Sequence, residues 1–187
     1  MIVAVFGGSF NPPHVAHVLA VTLVLSAHEV DRVLVVPAFK HPFAKSLAPF
    51  ADRARMAELA MGWLPGAVVS RVEEDLGGES RTLRTLEHLR TAHPEWTLRL
   101  VVGADILVEA HKWHGFDAIQ GIAPLLVLGR AGFTSKGAPA PLLPEISSTE
   151  VRAKLESRRP SDLAELSGLV PRAVLAYIAE KGLYAAP

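Results

Sequence analysis

The chain has 187 residues, half of them hydrophobic and a fifth charged, enough for one α/β domain with a sizeable core and too few for two ordinary domains joined by a linker. Basic and acidic residues number 19 each, so no global field draws the chain to nucleic acid or to an anionic membrane surface, and any phosphate binding has to be local. Cysteine is absent, which excludes disulfides, thiolate zinc sites and a thiol nucleophile and suits a cytoplasmic protein, and no apolar stretch reaches the roughly 18 residues of a membrane span.

Ile2 to Phe6 is a β-branched apolar run that ends at Gly7-Gly8. The apolar pattern from His14 to Ala27 then reads as a buried helix; it contains His17 and Thr22 and follows no basic segment, unlike a secretory signal. Arg32 to Val36 predicts a second strand, Asp52 to Gly62 a helix and Ala67 to Val72 a third strand. Thr82 to Ala92 follows as a helix, with Thr97 to Val102 and Leu125 to Leu128 as further strands. Strands alternating with helices at this spacing imply right-handed crossovers, hence an α/β fold: a doubly wound, Rossmann-like parallel sheet with helices on both faces. Gly132 to Pro144, rich in glycine and proline, reads as a loop with room for one short edge strand. Ser148 to Ser157 and Pro171 to Lys181 read as helices, the latter opening with proline in its first turn and closing at Gly182. Residues 1–187 therefore read as one domain, a Rossmann-like core to about residue 145 and a helical C-terminal segment from about 146.

Gly7-Gly8-Ser9-Phe10-Asn11-Pro12-Pro13-His14-Val15-Ala16-His17 directly follows the first strand, where open parallel sheets place their ligands. Glycines let backbone N–H groups approach phosphate oxygens, and the start of the next helix adds partial positive charge. The string lacks the Gly-Lys-Ser/Thr of a P-loop and the third glycine of the dinucleotide fingerprint. It has instead His14 and His17, three residues apart and so on one face of the helix's first turn, where two imidazoles can donate to an anion. A lone histidine on a helix is most often an ordinary surface residue, and His28, His88, His93, His111 and His114 are read that way. Near the other end, Ile146-Ser147-Ser148-Thr149-Glu150-Val151-Arg152 places hydroxyls at a helix start and an arginine one turn on, so that both can face one anion. Alone it is a common serine cap followed by a surface arginine.

The first string resembles the G-G-[ST]-F-[DN]-P-x-H-x-x-H signature of the nucleotidylyltransferase superfamily, and the second resembles that superfamily's I-S-S-T-x-x-R signature. Ala16 stands where glycine is usual and Asn11 where aspartate is common; neither change removes a donor. The resemblance implies that His14, His17 and Arg152 are catalytic, the histidines on inner phosphates of ATP and the arginine on outer ones. It implies that Gly7, Gly8, Ser9, Phe10, Ile146, Ser147, Ser148 and Thr149 also bind ATP, with Gly103 and Asp105, from a turn like the family's G-[AS]-D, near the adenosine. Between the two signatures the chain resembles the nicotinate (nicotinamide) mononucleotide adenylyltransferases. Trp113 stands where a tryptophan stacks on the pyridine ring, Thr82 lies in a string like S-Y-T-x-D-T-L, and Arg53 opens an R-x-x-M string. Lys45, with Lys40 as competitor, stands where a basic residue meets the incoming phosphate, and Leu169 to Tyr184 resembles the closing helix of that branch.

The implied reaction is attack by a mononucleotide 5′-phosphate on the α-phosphorus of ATP with release of pyrophosphate. The attacking oxygen is already ionised, so no general base is needed. Magnesium is expected, held mainly by substrate phosphates and water, with no metal site of the protein's own; Asp105 and Asp117 are read as structural or ribose contacts. Arg81 and Arg84 replace the usual tyrosine and aspartate, and either suit a substrate carboxylate or face solvent. Chain length and motif set favour nicotinate mononucleotide over nicotinamide mononucleotide. The rivals are phosphopantetheine adenylyltransferase, which shares both phosphate signatures, and a non-catalytic nucleotide sensor on the same fold. The partners implied are ATP and a pyridine mononucleotide, with a homo-oligomer left open and neither nucleic acid nor a membrane expected.

Overall fold

Alternation within the strands decides the architecture. Val3 and Val5, Leu34 and Val36, and Leu98, Leu100 and Val102 are buried on one face of a sheet, while Ala4, Val33, Val35 and Val101 are buried on the other. A sheet apolar on both faces needs helices on both, as the sequence predicts. The computed structural model describes residues 1–40, 47–104, 113, 115–129, 131, 140 and 142–185. Its strands are β1 (Ile2–Gly8), β2 (Arg32–Pro37), β3 (Ala67–Val69), β4 (Thr97–Gly103) and β5 (Leu125–Leu128). They form a parallel sheet in the order β3-β2-β1-β4-β5.

The described helices are α1 (Val15–Ala27), α2 (Phe50–Met61), α3 (Val72–Leu76), α4 (Thr82–Ala92), α5 (Phe116–Ile122), α6 (Ser148–Ser157), α7 (Pro160–Leu169) and α8 (Arg172–Lys181). Helices α1, α2 and α6 to α8 pack with the Ala4 face, through residues such as Val21, Met56, Val151, Leu166 and Val174. Helices α3, α4 and α5 cover the Val3 face, through Val72, Leu86 and Ile119.

The chain departs from the predicted elements in a few places, each with a local cause. The third strand stops at Val69, because the Ser70 hydroxyl accepts the N–H of Val72 and turns the chain into α3, burying Val72 under the second face. Helix α2 begins two residues early, at Phe50, because the phenylalanine is itself buried. Pro171 caps α8 from outside its first turn, whereas Pro160 occupies the first turn of α7, a helix the periodicity did not announce. Helix α5, seven residues after a left-handed Gly115, is equally silent in the sequence. Much of the predicted loop at 132–144 lies outside the described residues; Leu143 makes a bridge beside Gly129 and Ala131, the one trace of an edge strand.

Register creates the crevice that matters. Strand β1 pairs with β2 up to Gly8 opposite Pro37, but with β4 only from Ile2 to Val5. Beyond that level β4 continues with β5, from Leu100 to Gly103. The carboxyl ends of β1 and β4 therefore part company where the order of winding reverses, and ligands of open α/β sheets bind at such a point.

Candidate active site

A cleft of about 180 Å³ opens between those two strand ends. Gly7, His14 and His17 line one side, and Gly103, Leu128 and Ile146 the other. The turn leaving β1 is shaped by its glycines in different ways. A Cβ on Gly8 would come within 3.1–3.3 Å of the Phe10 ring, whereas one on Gly7 would meet no protein atom within 4 Å and would stand in the open cleft. Phe10 is fully buried, at a φ of 47°, with its ring edge-on to Phe6 and to His17. Its side chain is thus the floor of the turn and not part of the cleft lining.

His14 caps α1 and His17 lies three residues on, their rings 3.9 Å apart. The backbone N–H of His14 donates to His17 Nδ1 at 3.1 Å. An accepting Nδ1 leaves the ring proton of His17 on Nε2, the nitrogen with which it can donate to an anion. His14 is nearly buried, His17 half-exposed. The proximity that three-residue spacing predicts is therefore present at the mouth of the crevice.

The second motif is bound to the first directly. The Ser148 hydroxyl donates to the Pro12 carbonyl at 2.9 Å, and Arg152 Nη1 donates to the Asn11 carbonyl at 2.8 Å. Arg152 Nη2 also donates to Thr149 Oγ1 at 3.3 Å, leaving further guanidinium hydrogens for an anion. Ser147 caps α6 in a reciprocal box with Glu150, so its hydroxyl serves the helix start rather than projecting to a ligand. Ile146 is buried in the cleft wall.

The expected mononucleotide residues fare differently. Arg53 is 1% exposed, and its guanidinium donates to three backbone carbonyls, those of Ala48, Ser9 and Phe39, at 2.9, 2.9 and 3.2 Å. Burial pulls its pKa below the ordinary value. It is a clamp between the glycine turn and the loop after β2. Arg84 donates to the carbonyls of Leu76 and Gly77, and Arg81 forms an exposed pair with Glu79. Thr82 opens α4, just after Ser80, whose hydroxyl accepts from the N–H groups of Phe39 and Lys40. Trp113 packs edge-on to Phe116 against the second apolar cluster. Lys45 and Asp105 lie outside the described residues.

Two groups that the predicted site residues leave out, Asn11 and Tyr184, meet behind the glycine turn. Asn11, 1% exposed, accepts on Oδ1 from the Ala48 N–H at 3.0 Å and from the Tyr184 hydroxyl at 2.8 Å. No local spacing signals a contact between residues 173 positions apart.

Comparison with known proteins agrees with this fold. The pattern of the cytidylyltransferase-like family matches residues 5–154. A protein of Anaeromyxobacter dehalogenans named "Probable nicotinate-nucleotide adenylyltransferase" is 46% identical over 97% of this chain and 96% of its own length. A Thermus thermophilus protein of the same name is 36% identical over 98% of this chain and 100% of its own. Among solved structures, the Plasmodium falciparum nicotinic acid mononucleotide adenylyltransferase in complex with NaAD superposes with a TM-score of 0.83 at 19% identity, covering 98% and 97% of the two chains. The same enzyme complexed with APC gives 0.79, covering 98% and 96% of the two chains. The chain belongs to the cytidylyltransferase-like family, in its nicotinate-nucleotide adenylyltransferase branch.

Proposed function

We propose that this protein transfers the AMP moiety of ATP to nicotinate mononucleotide, giving deamido-NAD and pyrophosphate. The observation that carries the reading is the union of the two phosphate motifs. Backbone carbonyls of Asn11 and Pro12 hold Arg152 and Ser148 beside the His14–His17 turn, at the mouth of the only crevice the sheet's register opens among the described residues. Hydrogen-bond-donating groups from both ends of the chain are thereby held together, an arrangement that supports triphosphate binding.

In this reading the apolar far wall, with Leu128, Leu143 and Ile146, receives the adenine, and Gly103 lets the ribose approach the end of β4. Gly7 leaves space for phosphate oxygens. His17 Nε2 and His14 hold the inner phosphates, and Arg152 and the start of α6 the outer ones. The mononucleotide phosphate is a ready nucleophile, so the protein's task is to align two polyanions and to stabilise charge on the transferring group and on the departing pyrophosphate. Lys45, Lys40, Thr82 and Trp113 remain the residues proposed for the mononucleotide side. Arg81 and Arg84, being otherwise engaged, do not supply the contact to a nicotinate carboxylate.

Among the described residues no group of three or more His, Asp or Glu is placed to hold a metal. The donor set of the cleft is imidazole, guanidinium, hydroxyl and amide, suited to anions rather than to a hard cation. Magnesium is therefore proposed to arrive on the triphosphate, where it neutralises charge. No described helix is long and apolar enough to cross a membrane, and a cytoplasmic location is proposed.

The test is a pyrophosphate-release assay with ATP and, in turn, nicotinate mononucleotide, nicotinamide mononucleotide and phosphopantetheine. A specificity constant highest for nicotinate mononucleotide is expected. Preference for another acceptor moves the assignment to that substrate, and no turnover with any of them would leave a nucleotide sensor.

A further inference from the structure

Tyr184 lies past the end of α8, at a left-handed φ of 59° that a non-glycine residue adopts only when its surroundings hold it there. Its hydroxyl donates to Asn11 Oδ1 at 2.8 Å. The Nδ2 of Asn11 is buried with no hydrogen-bond partner among the described residues. Among the described residues two bonds fix this side chain, one from the Ala48 N–H and one from Tyr184. Asn11 is also the residue whose carbonyl holds Arg152, and it directly follows Phe10, itself left-handed at 47°. Burial drives the Tyr184 pKa well above its ordinary value, with the nearby charges of Arg152 and Arg53 pulling it back down, so the phenol stays protonated and keeps donating across the neutral range.

We propose that Tyr184 is a positioning residue of the ATP site: through Asn11 it sets the glycine turn and Arg152 in the arrangement that receives the triphosphate. It touches no substrate itself. Losing the hydroxyl frees the Asn11 side chain to swing and lets the turn and the guanidinium leave their common alignment.

The same C-terminal region supplies a matched control. The Tyr177 hydroxyl on α8 donates to Asp52 Oδ1 at 2.7 Å, a phenol bond to a carboxylate that ends on α2 rather than on the turn. Tyr184→Phe and Tyr177→Phe remove the same atom from neighbouring parts of the molecule. The experiment measures ATP binding to the full chain by titration calorimetry, thermal midpoints, and steady-state constants with nicotinate mononucleotide. For Tyr184→Phe the ATP dissociation constant is expected to rise about threefold to tenfold, the scale of one net hydrogen bond, with KM for the mononucleotide within twofold of the parent. Tyr177→Phe is expected to bind ATP like the parent at a similar thermal midpoint. Equal ATP affinities in Tyr184→Phe and the parent, equal losses in the two variants, or an unfolded Tyr184→Phe would each overturn the proposal. It rests on the ATP site described above but not on the acceptor: a parent that binds ATP and turns over no mononucleotide defeats the proposed reaction and still leaves the affinity comparison decisive.

Discussion

His17 is half-exposed and its Nδ1 closes the first turn of α1, so its removal leaves one helix-start N–H to water. His17→Ala is expected to keep the fold, with a loss of about 1 kcal/mol of cap energy, while turnover falls by roughly 10²–10³; circular dichroism and pyrophosphate release measure the two effects separately. Gly7→Ala makes a complementary prediction. The added methyl meets nothing in the protein, so thermal stability should be unchanged, yet it occupies space assigned to phosphate oxygens and KM for ATP should rise. The two histidines were legible in the sequence because their relation is local: spacing alone sets which helix face they share. Phe10 and Arg53 were not. They stand inside or beside recognisable motifs, but one is fully buried and the other is spent on carbonyls of residues 5, 14 and 44 positions away.

At the scale of elements, α2 organises the loops around the cleft although it contributes no group to it. Arg53 projects from its first turn to the carbonyls of Ala48, Ser9 and Phe39 and thereby joins the turn after β1 to the loop after β2. Hydrogen bonds to a charged donor contribute about 1.5–3 kcal/mol each, and a buried carbonyl left without a donor is costly. Arg53→Met, which keeps most of the side-chain volume, is therefore expected to destabilise the protein by at least about 3 kcal/mol, read from the midpoint of urea unfolding. Loss of activity should follow from the loosened loops. Strands and long helices were legible because apolar alternation and helical periodicity are written in consecutive residues. Helices α3, α5 and α7 were not, since each is short or weakly patterned and owes its place to contacts with a face of the sheet.

For the molecule as a whole, the two motifs meet through bonds between residues 136 and 141 positions apart. A triphosphate bound across them would add a bridge that only the folded chain can make. ATP at a hundred times its dissociation constant should raise unfolding free energy by about 2.7 kcal/mol; a thermal shift that grows with ATP in the parent, and much less in His17→Ala, is the expected result. The fold class, its carboxyl-end crevice and the pairing of the motifs were all implied by the order of elements and by the two strings. The role of the C-terminal segment was not, because it depends on a tyrosine meeting an asparagine at the opposite end of the chain.

That placement has a temporal side. The turn after β1 is synthesised well before the residues that fix it, since Ser148, Arg152 and Tyr184 reach it from 136 to 173 residues downstream. A nascent polypeptide can lay down its central strands early, but this cleft must wait until Ser148, Arg152 and Tyr184 have left the exit tunnel.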